Sequence, residues 1–244
     1  MEPEEKPVYP MRINKYLALQ GLSTRRGADE LIEKKKVYIN GRVAKLGDKV
    51  TKTDKVEMKR GHTSATPRIY VAYHKPRGVI THSPDEEKDE EDIKMLLEDS
   101  PELKGVFPIG RLDKDSSGLI ILTNDGRITD RLLNPKFEHE KEYMVTTVQP
   151  LRPSFKEHME KGVEIEDYRT KPAQVTVRGE NRFSIILTEG KKHQVRRMVV
   201  AMRNEVKTLE RTRVMNIELG RLPRGEWRYI EGKELATFLK SLGL

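Results

Sequence analysis

The chain contains no cysteine, which excludes disulfides, thiolate metal sites, thiol nucleophiles and iron–sulfur clusters together. No stretch approaches the ~20 consecutive apolar residues of a membrane-crossing helix. The opening MEPEEKPVYP also lacks the basic start and apolar core of a secretory signal. A cytoplasmic protein with no membrane partner is expected. Catalytic signatures are missing too: there is no H-E-x-x-H, no G-x-x-x-x-G-K-[ST] and no G-x-S-x-G. The six histidines (His62, His74, His82, His139, His158, His193) show no metal-ligand spacing. These absences weaken metal, nucleotide and serine-hydrolase readings.

Lysine and arginine number 47 against 39 acidic residues in 244, a formal excess of eight. Residues 11–60 alone hold fourteen Lys/Arg against six Asp/Glu, so the whole excess resides in one N-terminal module. Residues 85–102 have the opposite bias, ten acids against two lysines, and read as a solvated loop with a short helix because like charges repel into water. Hydrophobic residues and charged residues each make up 35%, the polar end for a globular chain. Low net charge per residue and periodic apolar segments argue against disorder. The length suits one or two compact domains.

Within the basic module, Ile13, Tyr16 and Leu17 fall at i, i+3 and i+4 and predict a helix over 12–20. Ser23 as N-cap, with Ala28, Leu31 and Ile32, predicts a second helix reaching about Lys35. The period then becomes two. Val37 and Ile39 flank Tyr38, Asn40-Gly41 is a strong hairpin turn, and a further strand is expected near 55–59. Arg12, Lys15, Arg25 and Arg26 form either a phosphate-binding face or an ordinary solvated one. The segments Arg12-Ile-Asn-Lys15-Tyr-Leu17, Gly21-Leu-Ser23-Thr-Arg25-Arg26 and Val37-Tyr-Ile39-Asn40-Gly41 resemble the S4 RNA-binding domain. That resemblance implies binding of structured RNA, mainly through shape and phosphate contacts.

A polar stretch, KRGHTSATP at 59–67, reads as a linker between an S4 domain at 11–58, preceded by a tail at 1–10, and a second domain at 68–244. Beyond it, short β-branched or aromatic runs at 69–74, 119–123, 142–148, 174–178, 183–188 and 214–219 read as strands. Helical spacing returns with Val195, Met198, Val199 and Met202, and again with Leu235, Phe238 and Leu239. The pattern predicts an α+β fold with a mostly antiparallel mixed sheet flanked by helices and loops.

One loop-to-strand segment stands out: Gly110-Arg111-Leu112-Asp113-Lys-Asp-Ser-Ser-Gly118-Leu-Ile-Ile-Leu-Thr123. On residue chemistry alone, an Asp ahead of Ser-Ser-Gly reads first as a turn or cap residue. The motif G-R-L-D-x-x-S-x-G-L-x-x-L-T, however, is similar to the catalytic motif of pseudouridine synthases. Further segments match in order: Lys75-Pro76-Arg77-Gly78 with His74 in the place of an Asn, Lys141-Glu-Tyr143, and Glu189-Gly-Lys-Lys192-His193-Gln194-Val-Arg196-Arg197-Met198. With the S4 match, the chain is identified as a member of the RsuA/RluB/RluE/RluF family of ribosomal RNA pseudouridine synthases. Its tail, Leu209–Asn216 and Gly225–Arg228, is most similar to the RluF branch.

This resemblance implies a cofactor-free isomerisation. The N1–C1′ bond of a uridine breaks, the uracil turns in place and C5 joins C1′. The expected substrate is a stem-loop of 23S rRNA near the peptidyl-transferase centre, bound by a monomer with no obligatory protein partner. A 16S rRNA synthase of the same family and a non-catalytic S4-type assembly factor are the competing readings. Asp113 is implied as the catalytic carboxylate, with attack on sugar, attack on base and removal of a sugar proton all open. Arg196 would pair with Asp113 and keep it ionised. Tyr143 would stack on the target base, which must be extruded from the RNA. Arg111 would occupy the vacated space or hold the flanking backbone. Lys75 and Arg77 would stiffen the catalytic edge or form a purely structural turn. Lys192, His193 and Arg197 would face phosphate or form a solvated face. Leu187 would wall the uracil pocket or serve as a core leucine.

Overall fold

The computed structural model describes residues 9–20, 22–23, 25–58, 67–81, 92–93, 100–166 and 168–244, apart from the side chain of Arg26. It divides into two units, residues 1–68 with 124–127, and residues 69–123 with 128–244. Most of the expected linker (59–66), most of the acidic run, and the junction residues Gly21 and Thr24 lie outside the described residues.

The first unit runs β1 (Met11–Arg12), α1 (Ile13–Leu19), α2 (Arg25–Glu33), β2 (Val37–Ile39), β3 (Arg42–Val43), β4 (Lys49–Val50) and β5 (Val56–Met58). Ile13 and Leu17 of α1 meet Ala28 and Ile32 of α2 in one core with Val37, Ile39 and Val50. Asn14 Nδ2 ties the two helices by donating to Asp29 Oδ1 at 2.9 Å. Asn40 and Gly41 have φ of 50° and 80°, the paired left-handed geometry of a type I′ turn, between the partners Ile39 and Arg42.

In the second unit come β6 (Tyr70–Lys75), β7 (Phe107–Ile109), β8 (Ser117–Thr123), α3 (Arg127–Leu133), β9 (Lys141–Thr147), α4 (Phe155–Glu160), β10 (Glu164–Ile165) and β11 (Tyr168–Arg169). They are followed by β12 (Gln174–Gly179), β13 (Arg182–Leu187), α5 (Gln194–Ala201), β14 (Val206–Val214), β15 (Ile217–Glu218), β16 (Trp227–Tyr229) and α6 (Gly232–Ser241). The large sheet has the order β12-β13-β9-β14-β8-β6-β16, with β7 added to β8 and β15 to β14. All its pairs are antiparallel except β14 with β8. The fold is the expected α+β class. Among the described residues no helix is long and apolar enough to cross a membrane.

Alternation along β8 sends Leu119 and Ile121 into a core with Ile128, Leu132, Val214, Ile217 and Phe238. Ile120 and Leu122 point the other way, into a cluster with Val71, Tyr73, Val79, Ile93 and Leu103. Farther along the sheet, Val145, Phe183, Ile185 and Leu209 pack against Val195, Met198 and Val199 of α5. Burial of those three helix side chains contributes roughly 1.5–3 kcal/mol each and fixes the helix on the sheet.

Two sequence expectations are corrected. The run 214–219 is not one strand: Met215 takes a left-handed φ of 52°, which folds β14 back onto β15 in a tight hairpin. Residues 206–213, for which no strand is predicted, form with Val214 the strand at the sheet's centre. The acidic run is not wholly solvated either. Asp92 and Ile93 are buried, Ile93 N donates to Ile80 O at 3.0 Å, and Pro101–Leu103 forms a 3-10 turn.

Candidate active site

The loop from β7 to β8 carries Asp113 and is braced from several sides. Leu112 N donates to Thr81 Oγ1 at 3.0 Å, and the same hydroxyl donates to Leu112 O at 2.8 Å. Ser116 N closes a turn on Asp113 O at 3.0 Å, and Gly78 N donates to Lys114 O at 2.8 Å. These bonds spend the loop's backbone on structure and leave the Asp113 carboxylate 34% exposed at its tip.

Arg196, on the first turn of α5, approaches from above. Its Nη2 donates to Asp115 O at 3.0 Å and to Ser116 Oγ at 3.1 Å, while its Nε stands 3.8 Å from Asp113 Oδ2. The expected pairing with Asp113 is therefore an ion pair at longer than hydrogen-bond range, and the direct bonds hold the loop. His193 Nδ1 lies 3.7 Å from the same carboxylate oxygen.

His193 precedes α5 with a left-handed φ of 53°. The loop before it is built on Glu189, a buried carboxylate that accepts from Lys171 N at 3.1 Å, from the Gln194 amide and from the Tyr168 hydroxyl. Gln194 Oε1 in turn accepts from Lys191 N at 3.0 Å. Tyr168, Glu189 and Gln194 thus hold His193 and Arg196 over Asp113. Glu189 and Gln194 belong to a recognised motif segment, yet no spacing rule links Tyr168 to them.

Below the loop, the strand register aligns one row across the sheet. Ile185 pairs with Tyr143, Tyr143 with Arg211, Arg211 with Gly118, and Gly118 with Lys75. Cross-strand partners share a face. The row therefore lies on the α5 side, between the cluster under α5 and the cluster around Ile120. Tyr143 is half-buried against the first of these.

Lys75 and Arg197 are placed otherwise than as RNA-facing cations. Lys75 is fully buried, and its Nζ donates to Pro76 O at 2.9 Å and Val79 O at 2.6 Å. Its turn supports the catalytic loop from below. Arg197 turns away to Glu166, with Nη2 2.7 Å from Oε2, because the β10–β11 hairpin packs beside α5. Leu187 is buried in the core under α5. Arg77 is exposed and 3.8 Å from Asp115. Arg111 and Lys192 are exposed, as are Arg12, Lys15 and Arg25 on the first unit, and none of these five has an ion-pair partner among the described residues. Among the described residues no group of three or more His, Asp and Glu could hold a metal ion.

Burial pushes the Lys75 ammonium down to about 8, partly opposed by Asp113 and Asp115, with Arg211 adding to the fall. A lysine whose folded value lies below its ordinary one destabilises the fold while charged, and that cost is relieved as pH rises from about 8 to the usual lysine value. Urea unfolding of wild type and Lys75→Met should therefore shift in wild type's favour between pH 7.5 and 10, by roughly fiftyfold in the unfolding constant. A pH-independent gap would mean that burial does not depress Lys75 and that it stays charged in its site.

The sequence profile described as RNA pseudouridylate synthase matches residues 69–201, and that of the S4 domain matches residues 11–56. The chain is 40% identical over 238 residues to the dual-specificity RNA pseudouridine synthase RluF of Escherichia coli K12, covering 96% of this chain and 80% of that one. It is 35% identical to the ribosomal large subunit pseudouridine synthase B of Bacillus subtilis, covering 92% and 93% of the two. A crystal structure of a pseudouridylate synthase superposes with a TM-score of 0.69 at 28% identity over 95% of this chain and 99% of that one.

Proposed function

This chain belongs to the RNA pseudouridine synthase family, and from that premise we propose that it isomerises one uridine in a stem-loop of 23S rRNA near the peptidyl-transferase centre, acting in the cytoplasm without a cofactor. The observation that carries the reading is the Asp113 carboxylate, raised on a braced loop, partly exposed, with Arg196 and His193 within 4 Å. Loops pinned by a rigid sheet are where reacting groups are found. A ribosomal RNA substrate is supported by the similarity to synthases named for the large and for the small subunit, at 35% and 34% identity.

In this reading Asp113 acts at the sugar or the base, Arg196 fixes the loop that presents it, and Tyr143 stacks on the extruded uracil. Arg111, exposed two residues before Asp113 and free of an ion-pair partner among the described residues, fills the space the base leaves or holds the flanking backbone. Lys192 and His193 take phosphate at the mouth of the site, and Arg77 extends that edge. Extrusion costs a few kcal/mol, which contacts with the flanking strand must offset.

The test is a pseudouridine map of unmodified 16S and 23S rRNA incubated with purified protein and no added cofactor. One new pseudouridine in 23S rRNA is the expected result. A new site in 16S rRNA instead would move the substrate to the small subunit. No new site on either, with binding retained, would favour a non-catalytic assembly factor.

The S4 domain supplies phosphate contacts in the same reading. Lys15→Ala combined with Arg25→Ala should weaken rRNA binding and lower the salt-dependence slope by about one to two units, measured by filter binding across a salt series. An unchanged slope would place the RNA footprint elsewhere.

A further inference from the structure

Arg211 is the unassigned member of the row that runs from Tyr143 to Lys75. It is 4% exposed, and its Nε donates to Leu119 O at 2.7 Å. No described residue accepts a hydrogen bond from its two terminal amines, and no described carboxylate lies within ion-pair distance. Other arginines of this unit are treated differently. Arg213 sits between Glu140 and Glu142 at 2.9 and 3.0 Å, and Arg228 holds both oxygens of Glu234. The neighbours of Arg211 worsen its situation: burial depresses both Lys75 and Lys141, and the Arg211 charge depresses both further. A sheet thus carries three crowded cations beside Tyr143 and beneath Asp113. A guanidinium so nearly buried, with no described carboxylate beside it and its terminal amines left to solvent, suits a site that is to receive negative charge.

The reaction generates such charge. When N1–C1′ breaks, the bonding pair stays with the base, and the uracil becomes an anion delocalised over N1, O2 and O4. C1′ keeps the matching positive charge until it is bonded again; the base then turns, C5 bonds C1′, the C5 proton leaves to solvent or a base and N1 takes up a proton, so that atoms and charge balance with no co-reactant. We propose that Arg211 is a catalytic residue whose terminal amines donate to a uracil carbonyl oxygen and stabilise the departing base as an anion, an inference that rests on the pseudouridine synthase reading of this site. A guanidinium suits the task because its planar pair of amines can hold a carbonyl oxygen while N1 is released.

The experiment uses the full-length protein and a synthetic stem-loop centred on the mapped uridine. Arg211→Gln should slow single turnover about 100-fold or more, with RNA affinity within threefold and melting near wild type. Arg211→Lys, which keeps the charge, should recover part of that loss. Replacing O2 or O4 of the target uridine by sulfur should slow wild type at one of the two positions and have little effect at that position in Arg211→Gln. A folded Arg211→Gln that turns over within fivefold of wild type, or one equally sensitive to sulfur, overturns the proposal. Should Arg211→Gln not fold, the wild-type sulfur series decides, and insensitivity at both positions overturns it. Wild-type protein that makes no pseudouridine removes the reading beneath the proposal, and the proposal with it.

Discussion

Asp113→Asn is expected to reduce turnover by at least about 10⁴-fold, the scale on which removal of a reacting group abolishes catalysis, while RNA affinity stays within a few fold. The substitution keeps the side chain's size and alters only its charge and basicity. None of the bonds that shape the loop depends on the carboxylate: Thr81 holds Leu112, Ser116 N bonds the Asp113 carbonyl, and Gly78 N bonds Lys114 O. Arg196 anchors to Asp115 O and Ser116 Oγ, so it too stays in place. The variant should therefore fold and bind as wild type does, and fail only in chemistry. Tritium release from RNA carrying [5-³H]uridine reads the reaction directly, because C5 must lose its hydrogen as it joins C1′. Release at the wild-type rate would remove Asp113 from the mechanism.

Gly118→Ala should be the most damaging single methyl in the second unit. At φ +111° an alanine is strained, and its Cβ would come 2.3 Å from Arg211 O and 2.4 Å from Arg211 N. Those are backbone atoms of the neighbouring parallel strand and have no flexible side chain to move. Relief requires β8 and β14 to part at the centre of the sheet, at a cost of at least about 4 kcal/mol, or roughly 10 °C or more in melting temperature for a chain of this size. Gly190→Ala is the control, since nothing lies within 4 Å of its added carbon. Calorimetry that finds Gly118→Ala within 2 °C of wild type would show that the two strands are not in this register.

Elements with local signatures were legible in the sequence. The Asn40-Gly41 turn needs two left-handed residues in succession, and few residue pairs supply them. Helix α5 announces itself through Val195, Met198 and Val199, all of which face the sheet. Strand β14 was illegible because its charges look like solvent-facing ones. In the sheet Arg213 is paired with Glu140 and Glu142, Glu210 lies 3.4 Å from the His74 ring, and Arg211 is buried outright. The contact with His74, helped by the charge of Arg224 and the Ser117 hydroxyl, holds the Glu210 carboxyl below its usual range. Pairing across strands has no periodicity to read.

The candidate site shows the same division. Asp113, Tyr143 and Arg196 are far apart in sequence, and only an ordered family motif joins them. The bonds from Arg196 to a backbone carbonyl and from Gly78 N to Lys114 O leave no trace in side-chain identity. Lys75 was read as part of a turn, and its burial beneath the loop followed from a strand register that residue spacing does not encode.

The pairing of Ser117 with Glu210 and of Gly118 with Arg211 joins residues more than ninety positions apart, by the one parallel pairing among the described strands of the large sheet. Contacts of such high sequence separation close late, because the intervening chain must first lose its entropy. Synthesis runs from the N-terminus, so a growing chain completes its S4 residues, and even its Asp113 loop, long before β14 has left the translating ribosome. Until then Asp113 has no floor beneath it, and helix α5 has one less strand on which to settle. The nascent protein thus acquires its RNA-binding module well before its catalytic one.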